Sequence, residues 1–276
     1  MGQIKLVAID LDGTFLTDEK GITEENKRAL QAAIAQGIKI VICTGRTLPG
    51  VRRFLQQLPF FEEGDYIILQ NGAATHALPG LEIVAQQTVS ATSRAQAWDI
   101  LQAFRNQGVQ LVAFNQDDMF LVDETQPSEI VQKDAETLDT AIQSISCEQF
   151  LAGEDLNKMM VLGSPEVLDK LEQAIPTEFH QLVNVVRSQA IIVEFLPKGV
   201  NKRSALENLV NQLGLEAHNV MAIGDQLNDI EMLEYAGLSV AMANAVPKVQ
   251  TVADVVTKSN NESGVAHIIQ QKVLTI

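Results

Sequence analysis

Leu6-Val7-Ala8-Ile9-Asp10-Leu11-Asp12-Gly13-Thr14 is the stretch from which the rest of this chain is read. Leu6 to Ile9 is a short apolar run of the kind that forms a buried strand in a parallel sheet. It ends in two carboxylates. Residues two apart on an extended chain share a face, so Asp10 and Asp12 would be presented together. Gly13 lets the chain turn sharply away. Two such carboxylates repel by about 4 kcal/mol at ~4 Å and an effective dielectric of ~20. They call for a cation, a shared proton or ample water. Alone, the segment also reads as a strand ending in a polar, Asx-stabilised turn, and the choice rests on the remaining chain.

At 276 residues the chain can bury a substantial core, as one large domain or two smaller ones. A net charge of −15 argues against a nucleic-acid or anionic-membrane surface, both of which need clustered Lys and Arg. A small anionic substrate stays open where a metal or a few cations reverse the field locally. Cys43 and Cys147 are the only cysteines and lack framework spacing, which points to a reducing compartment. The first strand begins within a few residues of the N-terminus, leaving no room for a signal peptide, and no apolar run approaches a membrane span. The expectation is a soluble, cytoplasmic protein.

Strand-like and helix-like runs alternate outward from Asp10, predicting an α/β fold with an open parallel sheet. Thr23 caps a helix that Gly37 closes. A strand from Ile38 to Ile42 leads to Cys43-Thr44-Gly45-Arg46, Pro49 opens another helix, and Tyr66 to Leu69 leads to Gln70-Asn71-Gly72. Later, Asn201 caps a helix ended by Gly214. Val220 to Ile223 then meets Gly224-Asp225, with strands at 240–242 and 255–256 to follow. The middle differs in texture. Strands at 111–114 and 120–122 flank an Asn115–Asp118 hairpin, with further strands at 159–162 and 190–195. Helices are expected at 93–106, 129–143 and 165–174. This predicts a core from residues 1–82 and 199–276, interrupted by an α+β insertion over 83–198.

Four core strands thus run into Asp10, Thr44, Asn71 and Asp225, at the carboxyl ends where open α/β sheets bind ligands. Asn228 and Asp229 follow Asp225 by about one helical turn. Gathering Asp10, Asp12, Asp225 and Asp229 would be costly without a cation, and hard oxygen donors without His or Cys favour Mg²⁺ over Zn²⁺. The four histidines are scattered and lack ligand spacing. Lys202 opens a helix, where a cation is unfavourable unless an anion sits opposite. Gly199 to Ser204 lacks the second glycine of a P-loop. Cys43-x-x-Arg46 has the wrong spacing for a cysteine phosphatase, and Cys43 reads as a small buried hydrophobe.

In order, Asp10-Leu11-Asp12-Gly13-Thr14, Thr44-Gly45-Arg46, Asn71-Gly72-Ala73, Lys202 and Gly224-Asp225-Gln226-Leu227-Asn228-Asp229 resemble the haloacid dehalogenase superfamily of phosphatases. The resemblance is to its Cof-type branch with a type IIB cap, and it spans nearly the whole chain. It implies a Rossmann-like core with an inserted α+β cap that selects the substrate. It further implies Asp10 as nucleophile, giving an aspartyl-phosphate, and Asp12 as the acid and then the base. Leu11, Thr44, Gly45, Lys202 and Asn228 would bind the phosphate. Mg²⁺ would be held by Asp10, the carbonyl of Asp12 and Asp225, with Asp229 supporting. Arg203 departs from the glycine common after the lysine. The expected reaction is Mg²⁺-dependent hydrolysis of a small phosphorylated metabolite such as a sugar phosphate. Phosphoryl transfer to another alcohol, or a phospho-accepting switch, stands as the alternative. Arg46, Asn71 and Lys158 are the candidates for substrate selection, Lys158 reading equally well as a solvated strand-edge cation.

Overall fold

The computed structural model describes residues 3–153 and 155–274. By contacts the chain divides into two compact units, one of Met1–Gly45, Arg53–Ala85 and Asn201–Ile276, the other of Arg46–Arg52 and Gln86–Val200. The first unit is built on eight strands, numbered along the chain. They are β1 (Leu6–Asp10), β2 (Lys39–Cys43), β3 (Tyr66–Leu69), β4 (Ala74–Ala77), β5 (Ile83–Gln86), β12 (Val220–Gly224), β13 (Leu238–Ala241) and β14 (Val255–Val256). Their order across the sheet is β14-β13-β12-β1-β2-β3-β4-β5. The pairs from β14 to β3 are parallel, and β4 runs antiparallel to β3. The α/β class with a parallel core sheet is therefore as expected.

All five residues of β1 and of β12 are buried, which is why these strands read as unbroken apolar runs rather than alternating ones. Both faces of these central strands are therefore covered. Thr23 caps the helix Glu24–Ala35, its side chain accepting from the Asn26 amide at 3.2 Å. Asn26 is itself buried and braces the turn after β1. Its Nδ2 donates to Phe15 O at 3.2 Å, and its Oδ1 accepts from the Ala266 amide at 2.9 Å. Chain order across the sheet reverses between β1 and β12. That reversal opens a crevice at their carboxyl ends.

The second unit carries β6 (Gln110–Phe114), β7 (Met119–Val122), β8 (Ile142–Ile145), β9 (Lys158–Leu162), β10 (Val183–Gln189) and β11 (Ile192–Pro197), in the order β10-β11-β9-β6-β7-β8. Every pairing is antiparallel except β7 with β8. Its two faces bury separate apolar clusters, one including Leu111, Met159, Phe179 and Phe195, the other Phe114, Val131, Ala135 and Met160. Arg46–Arg52, which the sequence reading left in the core segment, groups here. The Leu48 amide donates to Gln116 O at 3.4 Å, and Gly50 packs so closely on the Leu138 carbonyl that a Cβ would sit 2.9 Å from it.

Three expected elements need correction. The helix expected to reach Gln143 ends at Thr137. Asp139 adopts φ 52, its amide reaches Glu136 O, and the Thr140 amide reaches Ala135 O, a Schellman ending in which Asp replaces the usual glycine. Gln143 accordingly lies in β8. The strand expected from Ala190 starts at Ile192, after a turn from β10, and the helix expected over 93–106 spans Ala91–Gln102.

Asp134 sits on the same face of the helix Glu129–Thr137 as Val131, and its Oδ2 is buried without a hydrogen-bond partner. Burial, with the Glu194 charge and against that of Lys158, pushes its carboxyl up to about 6. The folded protein thus binds this proton more tightly than the unfolded chain does. The contribution of this carboxyl to stability is greatest below the unfolded value near 4 and falls as pH rises through about 6, by about 1–3 kcal/mol. Asp134→Asn is therefore expected to raise the melting temperature by about 2–6 °C at pH 7.5. Below pH ~4 its advantage should vanish, which thermal unfolding at the two pH values will read.

Candidate active site

β1 delivers Asp10 as its last residue, and β12 hands the chain to Asp225 immediately beyond its end. Between them sits Lys202, the first residue of the helix Lys202–Gln212. Asn201 caps that helix reciprocally with Ser204, so the lysine is held at a fixed start. Its Nζ donates to Asp10 Oδ1 at 2.5 Å and to Asp229 Oδ1 at 2.7 Å. The Lys202 and Asp229 side chains are fully buried, and that of Asp10 is 8% exposed. The unfavourable lysine at a helix start thus has the anions that its position demanded.

The carboxylates of Asp229 and Asp225 are fixed from further directions. Asp229 Oδ2 accepts from the amides of Asp225 and Gln226, both at 3.0 Å, which folds the 225–229 turn onto itself. Gly224 lies against it, for a Cβ there would meet Asp229 Cβ at 2.6 Å. Asp225 Oδ1 accepts from Thr14 Oγ1 at 2.9 Å. Gly13, at φ 81, lies so close that a Cβ would come within 2.5 Å of Asp225 Oδ2. Here glycine is required twice over, by conformation and by contact.

Asp10, Asp225 and Asp229 each place an oxygen within 4.8 Å of the others. One ammonium therefore faces three carboxylates, and the surplus negative charge is expressed in their proton affinities. Burial first, then the charges of Asp229 and Asp225, push the Asp10 carboxyl well above the usual range, against the pull of Lys202. Burial and Asp229 push Asp225 up to about 6. Burial alone would lower Lys202, but Asp10 and Asp229 outweigh it and hold the ammonium protonated. A divalent cation fits this donor set. The oxygens are hard, no His or Cys joins them, and a charge of +2 would balance what the ammonium leaves over. Asp229, fully buried, with one oxygen on the Lys202 ammonium and the other on two backbone amides, suits support more than direct ligation.

A second polar layer adjoins the cluster. The Thr44 amide donates to Ile68 O at 2.9 Å, and the Asn71 amide to Thr44 O at 3.0 Å. Gln70 and Asn71 are both left-handed, at φ 51 and 55. The turn puts the Asn71 amide group against Gly45, where a Cβ would lie 3.2 Å from it. Asn71 Oδ1 accepts from Asn228 Nδ2 at 3.0 Å. Asp12 instead meets Lys20, whose Nζ donates to its Oδ1 at 2.8 Å. Cys43 is fully buried, and burial pushes its thiol upward, away from a nucleophilic role.

Arg46 and Lys158 belong to the second unit. Arg46 donates to Gly50 O at 3.3 Å and Thr137 O at 3.4 Å. Lys158 is not a solvated edge cation. It is 3% exposed, pairs with Glu194 at 3.1 Å and stands over the Phe114 ring at 5.0 Å. Sequence reasoning passed over Thr14, Lys20 and Asn244, whose Nδ2 donates to Gly13 O at 2.8 Å. Only Thr14 carried a signal, as the fifth residue of the quoted motif.

No helix among the described residues is long and apolar enough to cross a membrane. Residues 7–269 match the family model for haloacid dehalogenase-like hydrolases. The YxeH protein of Bacillus subtilis (strain 168) is 36% identical over 270 residues, covering 98% of each chain. From the same organism, 5-amino-6-(5-phospho-D-ribitylamino)uracil phosphatase YcsE is 32% identical over 273 residues, covering 98% of this chain and 96% of its own. Among solved structures, a haloacid dehalogenase-like hydrolase from Bacteroides thetaiotaomicron superposes with a TM-score of 0.86 at 27% identity, over 98% of this chain and 99% of its own. The subclass IIB sugar phosphatase BT4131 does so with a TM-score of 0.80 at 25% identity, over 97% and 98%. The Asp10 and Asp12 carboxylates at and just beyond the end of β1, a lysine-bridged acidic cluster and this sequence kinship agree, and the chain belongs to the haloacid dehalogenase-like hydrolase family, as a phosphatase within it.

Proposed function

We propose that the protein is a Mg²⁺-dependent phosphatase that hydrolyses the phosphate monoester of a small polyhydroxylated metabolite, such as a sugar phosphate, through an aspartyl-phosphate. The observation that carries this reading is the buried Asp10–Lys202–Asp229 bridge beside Asp225 at the carboxyl ends of β1 and β12. Asp10 supplies the nucleophilic oxygen. The new bond from it to phosphorus forms as the ester P–O bond breaks, and Asp12 gives its proton to the departing oxygen. Asp12 then takes a proton from water as that water attacks phosphorus, and the Asp10 carboxylate is released with inorganic phosphate. Two modest barriers replace one very high one.

Thr44, the Leu11 and Gly45 amides and Asn228, which donates to Asn71 Oδ1, bind the phosphoryl oxygens in this reading. Lys202 provides fixed positive charge where negative charge grows. Asp10, the Asp12 carbonyl and Asp225 would hold Mg²⁺, which would supply Lewis-acid stabilisation at the phosphoryl oxygens. Residues 83–198, with Arg46, Asn71 and Lys158, are assigned the choice of leaving group. The substrate class follows two relatives. YcsE is named for a phosphorylated ribityl compound and BT4131 for sugars. Cys43 and Cys147 are unpaired, in keeping with work in the cytoplasm.

A panel of sugar, polyol and aryl phosphates assayed with Mg²⁺ and with chelator tests the proposal. Phosphate release with many turnovers is expected, falling on the order of 10³-fold on chelation and returning with Mg²⁺. Turnover indifferent to chelation, or none on any ester, would overturn it.

A further inference from the structure

Lys20 belongs to none of the motifs above, yet the fold invests heavily in placing it. Its ion pair with Asp12 is solvent-facing, with side chains 44% and 35% exposed. Such a pair contributes only about 0–1 kcal/mol to stability, so folding energy does not account for the loop behind it. Lys20 adopts φ 59, although Gly21 beside it could have taken the left-handed position. For a residue with a Cβ this conformation costs roughly 1–2 kcal/mol and persists only where the surroundings impose it.

The surroundings do impose it. The Thr17 amide donates to Gly21 O at 2.9 Å, its carbonyl accepts from the Lys20 amide at 2.9 Å, and its Oγ1 accepts from the Gly21 amide at 3.1 Å. Next in the loop, Asp18 accepts from Asn260 Nδ2 at 3.0 Å and Asn261 Nδ2 at 2.8 Å, and its amide donates to Asn261 Oδ1 at 3.1 Å. Asn260 Nδ2 also donates to Leu16 O at 3.0 Å. The Asn260 amide donates to Asn244 Oδ1 at 3.0 Å, and Asn244 reaches Gly13 O, as above. Hydrogen bonds thus link Gly13 through Asn244 and Asn260 to Asp18, two residues before Lys20 in the same loop, and the Lys20 side chain returns to Asp12. Both ends of the Lys20–Asp12 pair are anchored to one frame.

We infer that Lys20 is a positioning residue for Asp12, holding one carboxylate oxygen so that the other is aimed to exchange the proton with the leaving oxygen and then with water. The inference rests on the acid–base role given to Asp12 under Proposed function. Lys20 itself transfers nothing. The proton passes from Asp12 to the ester oxygen as the P–O bond breaks, its electron pair staying on that oxygen, and a proton returns from water in the second step.

The test compares an alkyl phosphate, glycerol phosphate, with p-nitrophenyl phosphate, because an alkoxide needs a proton to depart and nitrophenolate does not. Lys20→Met is expected to lower kcat on the alkyl ester so that the aryl-to-alkyl ratio rises about tenfold, part of the 10²–10⁴ that a positioned acid supplies. Lys20→Arg should recover most of the loss, and in an Asp12→Asn background Lys20→Met should add nothing, since the two act as one unit. An equal fall on both esters, or a Lys20→Met penalty undiminished beside Asp12→Asn, would overturn the role of Lys20 alone. If Asp12→Asn itself failed to discriminate between the esters, the assignment of Asp12 would fall, and Lys20 with it.

Discussion

Asp10→Asn is expected to lower kcat on every phosphoester by about 10⁴-fold or more, the scale of loss when a covalent nucleophile is removed. The substitution keeps the shape of the side chain and takes away only its charge and nucleophilicity. It should not unfold the protein. Asp10, Asp225 and Asp229 crowd one ammonium, and Asp10 is pushed up by burial and by its acidic neighbours. Removing one of three like charges relieves that repulsion, so thermal stability should hold or rise. A large loss of turnover with no loss of melting temperature is the signature to look for. Substantial metal-dependent turnover in the variant would contradict the assignment.

Lys202→Met carries the second large effect, and its sign on stability is opposite. The lysine is the partner of both Asp10 and Asp229, with its side chain wholly buried. Without it two buried carboxylates face each other uncompensated, a loss of the kind that costs about 3–5 kcal/mol. Turnover should fall on the order of 10³-fold as well, because fixed positive charge is withdrawn from the phosphoryl site. Lys202→Arg should not rescue it, for the planar guanidinium needs a different space and fork geometry. Denaturant unfolding with and without Mg²⁺ separates the terms. Mg²⁺ should restore more stability to Lys202→Met than to the native protein, since it then meets more unbalanced charge. A variant as stable as the native protein would show that the bridge does not hold the cluster together.

Legibility in the sequence followed burial. β1 and β12 are buried at every position and so read as continuous apolar runs, and their acidic ends stood out against them. β8 and β10 are largely half-exposed, with Gln143-Ser144 and Arg187-Ser188-Gln189 among them, and no period separated them from loops. The end of the helix at Thr137 was hidden because Asp139, not glycine, takes the left-handed position. The core of the site was readable for a related reason. Asp10, Lys202, Asp225 and Asp229 sit at the ends of strongly patterned elements, where an acid or a helix-start lysine is conspicuous. The frame around Asp12 was not. It depends on Asp18 meeting Asn260 and Asn261 across more than two hundred residues, and on a lysine forced into a glycine-like conformation. Nothing local in composition marks either.

The covalent step at Asp10 is the centre of this account, and trapping it is the most direct measurement. Acid quenching within a single turnover, followed by borohydride reduction, converts an aspartyl-phosphate to homoserine at the residue that carried it. Peptide mass spectrometry should find that conversion at Asp10 and nowhere else, and none in Asp10→Asn. Homoserine at another aspartate, or none in a protein quenched while turning over, would contradict the account.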